Sequence, residues 1–136
     1  MYLVDTSVWI DYLRGRDTAH AQLLDDLLRN PLAVGIADVI YMEILQGARD
    51  ARSFTRLRDY FGGQRFYRFG EPAASHAAAA NLYFDCRRRG FAVRSTLDCL
   101  IARCAIENDL ILLHHDQDFV KLGKVAPTLR QKHFMN

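Results

Sequence analysis

The fold is decided by the stretch Leu110-Ile111-Leu112-Leu113-His114-His115-Asp116. Its first four residues form a short, uninterrupted apolar run, which is typical of a strand buried on both faces of a parallel sheet. A second β-prone segment, Tyr2-Leu3-Val4, ends directly at Asp5. The sequence therefore predicts two buried strands, each leading into a segment that carries an acidic residue.

The rest of the chain alternates between strand-like and helix-like patterns. Two more strands are predicted, at 32–36 and 65–69. Apolar residues at helical spacing, with cap residues and Gly or Pro near the ends, predict helices at 8–13, 17–28, 39–47, 49–62, 71–89, 96–106 and from about 119. Asp38 is the predicted N-cap of the third helix. Strands that alternate with helices in this way predict an α/β domain around a central, mostly parallel sheet.

Length and composition limit the classes of protein that fit. The chain has 136 residues, half of them apolar and a quarter charged, which predicts a single globular domain spanning residues 1–136. No apolar run reaches the roughly 18 residues of a membrane span, and residues 1–5 lack the basic segment of a signal peptide. The three cysteines have no metal-binding spacing and are expected to be reduced and buried. We therefore expect a cytoplasmic protein.

Four acidic residues stand where the predicted fold would bring them together. In open parallel sheets, ligands bind past the carboxyl ends of the strands, and Asp5 and Asp116 each follow a predicted strand. Glu43 is the only charged residue in the middle of an otherwise apolar helix. Asp98 lies on the apolar face of its helix, which directs its carboxylate inward.

Burying four carboxylates together is unfavourable, because desolvation and mutual repulsion both raise their pKa values. A hard divalent cation resolves this conflict, since Mg²⁺ or Mn²⁺ prefers oxygen ligands and commonly completes its shell with phosphate oxygens. Such a site favours phosphodiester hydrolysis, in which the metal activates water and neutralises charge on the leaving oxygen. The pattern therefore indicates a metal-dependent hydrolase of phosphate esters.

Each acid taken singly also has a purely structural explanation. Asp5 is suited to starting a helix or turn, and Asp116 and Asp118 are each suited to capping the helix that begins near Phe119. Glu43 is compatible with a solvent-exposed position on its helix. Asp98 follows Ser95 by three residues, which is the spacing of a capping box. Only the joint arrangement, with two strand ends and two inward helix faces, favours a functional site over these local roles.

Four motifs that together span nearly the whole chain are similar to those of one enzyme family. They are Val4-Asp5-Thr6-Ser7-Val8-Trp9-Ile10, Met42-Glu43-Ile44-Leu45-Gln46-Gly47, Arg94-Ser95-Thr96-Leu97-Asp98-Cys99-Leu100-Ile101-Ala102 and Leu113-His114-His115-Asp116-Gln117-Asp118-Phe119. In this order and spacing they resemble the PIN-domain ribonucleases, specifically the VapC toxins of prokaryotic toxin-antitoxin pairs. The resemblance implies a compact, three-layer α/β/α PIN-like fold and RNA cleavage that depends on Mg²⁺ or Mn²⁺.

The resemblance also assigns the site residues. Asp5, Glu43 and Asp98 match the family's three core acids, and Asp116 matches its fourth, more variable acid, so these four are the implied catalytic and metal-binding residues. Asp118 belongs to the same terminal motif, which leaves the division of labour between Asp116 and Asp118 open. A toxin of this kind would act in the cytoplasm of a prokaryote.

Supporting residues and partners follow from the same resemblance. Thr6 and Thr96 supply hydroxyls near the acids, suited to orienting a ligand or contacting phosphate. The chain departs from the family at His114, where a small hydroxyl residue is common, and we expect this histidine to pack rather than to touch substrate. The implied partners are an RNA substrate, a second copy of the chain in a homodimer, and a VapB antitoxin. A helix of that antitoxin would lie in an apolar groove and bring a basic residue towards the acids.

Other functions stay open on the sequence alone. A catalytically silent interaction module would use the same acids to bind a metal or a basic peptide, and an RNA-processing enzyme would cleave without an antitoxin. A P-loop or dinucleotide enzyme is disfavoured, because Gly62-Gly63 lacks the following Lys and no G-x-G-x-x-G motif occurs. Arginines and aromatic residues interleaved between Arg49 and Phe69 fit either an RNA-contacting face or core aromatics with an arginine rim.

Overall fold

The computed structural model describes residues 1–135, which form five strands and seven helices. The strands are β1 (Tyr2–Val4), β2 (Val34–Ile36), β3 (Arg65–Phe66), β4 (Ile111–Leu113) and β5 (Arg130–Lys132). The helices are α1 (Thr6–Leu13), α2 (Ala19–Leu27), α3 (Asp38–Gln46), α4 (Ala51–Gly62), α5 (Pro72–Arg88), α6 (Thr96–Glu107) and α7 (Gln117–Val125). Within these residues, no helix is both long and apolar enough to cross a membrane.

The five strands form one sheet in the order β3-β2-β1-β4-β5. β1 lies in the centre, with Tyr2 paired to Val34 of β2 on one side and to Ile111 of β4 on the other. Every neighbouring pair is parallel, so all five carboxyl ends meet at the same edge of the sheet. The predicted α/β/α architecture is confirmed, and its sheet is parallel throughout. Asp5 and Asp116 follow neighbouring strands at that edge.

The apolar runs of the sequence form the interior of the protein. Leu3 and Val4 of β1 and Leu112 and Leu113 of β4 are fully buried. Trp9 of α1 is fully buried as well, and its ring packs edge-on against Phe61, with 4.8 Å between the ring centroids. Full burial of an apolar side chain contributes about 1.5–3 kcal/mol. The packing of the central strands and α1 therefore fixes the geometry of the sheet edge that Asp5 and Asp116 follow.

The three cysteines are free and buried, as predicted. Burial raises the pKa of Cys99 to about 12 and that of Cys104 to about 11. Because the thiolate is the reactive form of cysteine, these thiols are chemically inert near neutral pH.

The structure corrects the sequence prediction at three places. Strand β5 is missing from the prediction because its residues 130–132 contain no apolar side chain; it is held by pairing with β4 at the sheet edge. The strand predicted at 65–69 is only two residues long, although the N–H of Tyr67 still donates to the carbonyl of Ile36. Asp38 is the first residue of α3 rather than its N-cap, which is Ala37.

The position of Gly35 in β2 yields a prediction about stability. A Cβ atom there would overlap the ring of Tyr67 and lie 2.9 Å from the backbone oxygen of Arg65. Because that oxygen belongs to the neighbouring strand, the clash cannot be relieved by a side-chain rotation. We expect Gly35→Ala to lower the free energy of unfolding by about 1–3 kcal/mol in urea titrations. Gly70→Ala is the matched control, since a Cβ at Gly70 meets nothing within 4 Å; equal loss in both variants would contradict the explanation.

Candidate active site

Asp5 lies just past the carboxyl end of β1 and is the N-cap of helix α1. Its carboxylate accepts hydrogen bonds from the backbone N–H of Ser7, at 3.0 Å, and from the Ser7 hydroxyl, so it caps the helix. Asp5 is also only 5% exposed. Burial raises the pKa of Asp5 to about 6 despite the Ser7 bonds, and the carboxylates of Glu43 and Asp116 add to the rise. Capping explains the position of Asp5, but not the burial of its charge beside two others.

Glu43 reaches the same edge of the sheet from α3. It is half-buried, and its Oε1 atom accepts a 2.9 Å hydrogen bond from Oγ1 of Thr6. Thr6 therefore joins the start of α1 to the acid on α3, which is a supporting position of the kind expected for it. Thr96 is placed differently: it is the exposed first residue of α6 and, within residues 1–135, donates to none of the acids.

Asp98 lies in the first turn of α6, and its carboxylate is half-buried. The cap of this helix is Ser95, whose hydroxyl accepts from the N–H of Leu97 rather than from that of Asp98. Burial raises the pKa of Asp98 to about 7, and repulsion from Asp5, and more weakly from the other acids of the cluster, contributes to the rise. Because Ser95 bonds to the N–H of Leu97 and not to that of Asp98, the contacts in the described chain do not support the capping-box explanation of Asp98.

Asp116 and Asp118 follow β4 and differ in their surroundings. Asp116 caps α7 by accepting from the N–H of Asp118 at 2.9 Å, and its side chain is 21% exposed. Asp118 is buried and accepts from both Nε and the backbone N–H of Arg94, at 3.0 and 3.2 Å. Burial alone would raise the pKa of Asp118, but the Arg94 bonds and the charge of Lys121 hold it below its usual value. Arg94 also donates from Nη2 to Asp116 at 3.1 Å.

His114 is fully buried, as the packing expectation requires. Its Nδ1 atom accepts the backbone N–H of Asp116 at 3.2 Å, and its Nε2 atom lies 2.7 Å from Oε1 of Gln131 on β5. These two contacts suit a neutral imidazole that carries its proton on Nε2. Burial lowers the pKa of His114 to about 4, which agrees with that neutral state. His114 thus positions the backbone that carries Asp116.

The balance of charge in this cluster is strongly negative. One carboxylate oxygen each from Asp98, Asp116 and Asp118 lies within 4.8 Å of the others. Among residues 1–135, the salt bridges of the cluster involve only Asp116 and Asp118, which leaves Asp5, Glu43 and Asp98 without a paired basic side chain. Two oxygens bound to one Mg²⁺ lie at most about 4.2 Å apart. The spacing of Asp98, Asp116 and Asp118 shows that carboxylate oxygens at this edge approach nearly to the separation that one cation requires. All the donors at this edge are oxygens, which suits a small divalent cation.

Sequence reasoning missed Arg94, although it lies inside one of the quoted motifs. No spacing rule pairs an arginine with acids that follow it by 22 and 24 residues, so only the folded chain shows the contact. The backbone bond from Ser7 to Asp5 was more accessible to prediction, because an Asp at a helix N-cap commonly accepts from the N–H two or three residues later.

Comparison with known proteins identifies the family that the chain resembles. The PIN domain family model matches residues 2–125. "VapC ribonuclease Mb1587" of Mycobacterium bovis is 36% identical over 127 residues, covering 93% of this chain and 94% of that protein. "Ribonuclease VapC11" of Mycobacterium tuberculosis matches to the same extent.

Two solved structures share the fold at low sequence identity. VapBC2 from Rickettsia felis, bound to a DNA fragment from its promoter, matches with a TM-score of 0.71 and 16% identity over 98% of both chains. VapBC-1 from nontypeable Haemophilus influenzae matches with a TM-score of 0.72 and 16% identity over 97% of this chain and 96% of that one. Together with the family match and the 36% identity of the mycobacterial relatives, these results show that the chain belongs to the PIN-domain family, within its group of VapC ribonucleases.

Proposed function

We propose that the chain is a toxin endoribonuclease whose single domain hydrolyses RNA phosphodiester bonds with a divalent cation, Mg²⁺ or Mn²⁺. The observation that carries this proposal is the unpaired acid cluster: Asp5, Glu43 and Asp98 are brought together at the sheet edge with no basic side chain paired to them in residues 1–135. Such a cluster is costly to bury unless a cation neutralises it. Family membership supports ribonuclease chemistry at that cluster.

The residues that would hold the cation are Asp5, Glu43, Asp98 and Asp116. We assign the fourth position to Asp116 for two reasons. Its carboxylate is more exposed than that of Asp118, and its charge contributes to the raised pKa of both Asp5 and Asp98. Both carboxylate oxygens of Asp118 lie against basic side chains, Arg94 and Lys121, whereas Asp116 contacts Arg94 through Oδ1 alone. The role of Asp118 is therefore to position the loop. When bound, the cation would activate water and stabilise charge that develops on the phosphate and the leaving oxygen.

The chain's own side chains prepare this site before any substrate arrives. Ser7 holds Asp5, and Thr6 holds Glu43, so each carboxylate keeps one fixed oxygen and has lone pairs left for a further ligand. His114 holds the backbone of Asp116. Such preorganisation lowers the cost of assembling a reactive geometry around a scissile phosphate.

Cleavage of labelled RNA tests the proposal. Purified protein is incubated with total tRNA and ribosomal RNA in the presence of Mg²⁺, Mn²⁺ or EDTA, and products are resolved and their ends sequenced. We expect discrete fragments with either metal and none with EDTA. Tight Mn²⁺ binding without cleavage of any RNA would instead indicate the silent metal-binding module.

We further propose that a VapB-type antitoxin binds a groove beside the acid cluster. The groove has a volume of about 880 Å³ and begins at Glu43. Its apolar lining comes from α1, α3 and α4, and four arginines line it as well: Arg14, Arg49, Arg52 and Arg56. Of its aromatic lining residues on α4, Phe61 is buried in the core and Tyr60 is exposed. An amphipathic partner segment with acidic residues towards these arginines and one basic residue towards Glu43 would fit this lining.

Tyr60 provides a test of the groove. Its side chain is 51% exposed at the groove wall, and exposed aromatic residues often dominate binding energy at protein interfaces. We expect Tyr60→Ala to weaken binding of the VapB protein encoded beside this chain by about 10-fold or more in calorimetry. Phe84→Ala removes an equally exposed aromatic residue, 58% exposed and outside the groove, and should bind like wild type. Equal affinity of both variants would place the antitoxin elsewhere.

Two further expectations belong to this proposal. A homodimer is expected from the family, and light scattering on the purified protein measures the mass directly. We also expect the toxin to act in the prokaryotic cytoplasm, since its proposed RNA substrates and its antitoxin are made there.

A further inference from the structure

His115 lies between two residues of the candidate site and is itself exposed. Its backbone N–H donates a 3.0 Å hydrogen bond to the hydroxyl of Ser7, which donates in turn to the carboxylate of Asp5. The next residue is Asp116, whose Cα is about 3.8 Å away along the chain. The backbone of His115 is therefore anchored to both strand-end acids of the cluster.

The side chain of His115 is held by a second, independent set of contacts. Its ring stacks on the ring of His20, with 4.4 Å between centroids and 23° between planes. His20 is buried, and its Nε2 atom lies 2.7 Å from Oδ2 of Asp11. Asp11 is buried too, and its other oxygen accepts from Nη1 of Arg16 at 2.8 Å. The ring beneath His115 is therefore fixed by a charged network rather than by loose packing.

His115 is thus an exposed residue whose ring packs against the ring of His20 and whose backbone directly precedes Asp116. Unstacked nucleobases bind to aromatic rings, including histidine, in single-stranded RNA recognition. An aromatic ring whose position is set before binding loses little conformational entropy when a base stacks on it.

We propose that His115 is a stacking surface for a nucleobase that flanks the scissile phosphodiester of the RNA substrate, an inference that rests on the ribonuclease function proposed above. Asp11 and His20 are the positioning residues of this surface. Because every base has a π-face, stacking on His115 would tolerate any base and would contribute affinity rather than base selection.

Kinetics on a short RNA test the role of His115. The RNA carries one cleavage site, mapped with wild-type protein in the tRNA and ribosomal RNA pool. We expect His115→Ala to raise KM by about 5- to 150-fold, because the loss of one base–aromatic stack weakens binding by about this factor. The change in kcat should be smaller. His115→Phe keeps an aromatic ring and should restore KM to within about 3-fold of wild type. His76→Ala, which removes another exposed histidine on α5, should match wild type.

An abasic nucleotide on either side of the cut provides the decisive comparison. At the stacked position, the missing base should weaken binding to wild type by the same factor as His115→Ala and should weaken binding to His115→Ala no further. The proposal would be overturned if the effects of the missing base and of His115→Ala multiplied at both flanking positions, or if His115→Ala left KM unchanged. Neither result would contradict the ribonuclease function. An equal increase in KM together with an equal loss of thermal stability in His115→Ala and His115→Phe would overturn the proposal in favour of a structural role. Absence of cleavage by wild type with any metal is a different result, which refutes the proposed ribonuclease and this inference with it.

Discussion

Asp98→Asn is expected to reduce metal-dependent RNA cleavage by about 10²- to 10⁴-fold and, at the same time, to stabilise the metal-free protein. The substitution keeps the size and polarity of the side chain but removes its charge. Loss of that charge removes a cation ligand, which lowers kcat/KM. It also removes the carboxylate whose pKa burial and neighbouring acids raise to about 7. Opposite effects on activity and stability are typical of a site whose charges conflict until a ligand binds.

The measurement pairs single-turnover cleavage with thermal unfolding in EDTA at about pH 8, where the Asp98 carboxyl of the wild type is mostly ionised. Asp26→Asn is the matched control, because the Asp26 side chain is 70% exposed and its salt bridge in the described chain is a long one, 3.8 Å to Arg29; the substitution should change neither quantity. Cleavage by Asp98→Asn at the wild-type rate would exclude Asp98 from the site. An unchanged melting temperature without metal would show that the cluster is not strained by its charges.

A comparison of Asp116→Asn with Asp118→Asn separates the two acids after β4. Asp116→Asn should lose cleavage activity, as Asp98→Asn does. Asp118→Asn removes the charged partner of Arg94 and Lys121, so it should lower thermal stability more than it lowers cleavage. The reverse pattern would assign the fourth ligand position to Asp118.

The acid cluster could be predicted from the sequence because each acid has a local marker. Asp5 and Asp116 come after short apolar strands, and neighbouring parallel strands place their carboxyl ends side by side. Glu43 and Asp98 interrupt apolar helix faces. These markers depend only on the periodicity of strands and helices, so they can be recognised without knowledge of tertiary contacts.

Other features depend on contacts between distant residues and leave no local marker. Strand β5 is polar throughout and is defined only by its pairing with β4. Arg94 is an exposed arginine until the fold brings it to Asp116 and Asp118. The stack of His20 on His115 joins residues from α2 and the loop after β4, and no periodic pattern relates them. Long-range polar contacts are therefore the part of this site that required the structure.

The stability of the metal-free protein is expected to depend on pH through the same acids. The folded protein binds a proton more tightly than the unfolded chain at Asp5, with a pKa of about 6 against 3.8, and at Asp98, with a pKa of about 7 against 3.8. The stabilising contribution of each is complete below about pH 3.8 and is lost as the pH rises through the folded value. His114 acts in the opposite direction: burial lowers its pKa from 6.5 to about 4, so its contribution grows between these values and is constant above them.

The difference in melting temperature between wild type and Asp98→Asn isolates the acid, because His114 contributes equally to both proteins. In EDTA, this difference should be smallest near pH 4. As the pH rises to about 7, the wild type should melt at increasingly lower temperature than Asp98→Asn, and the difference should level off above that pH. Mn²⁺ at about 100 times its Kd should then raise the melting temperature of the wild type by about 5 to 10 °C at pH 8, because a ligand that binds only the folded state stabilises it. The increase should be smaller at pH 5, where protons compete for the carboxylates, and smaller in Asp98→Asn at both values. A difference that is flat between pH 4 and 8, or an equal effect of Mn²⁺ on both proteins, would contradict a cation site at this cluster.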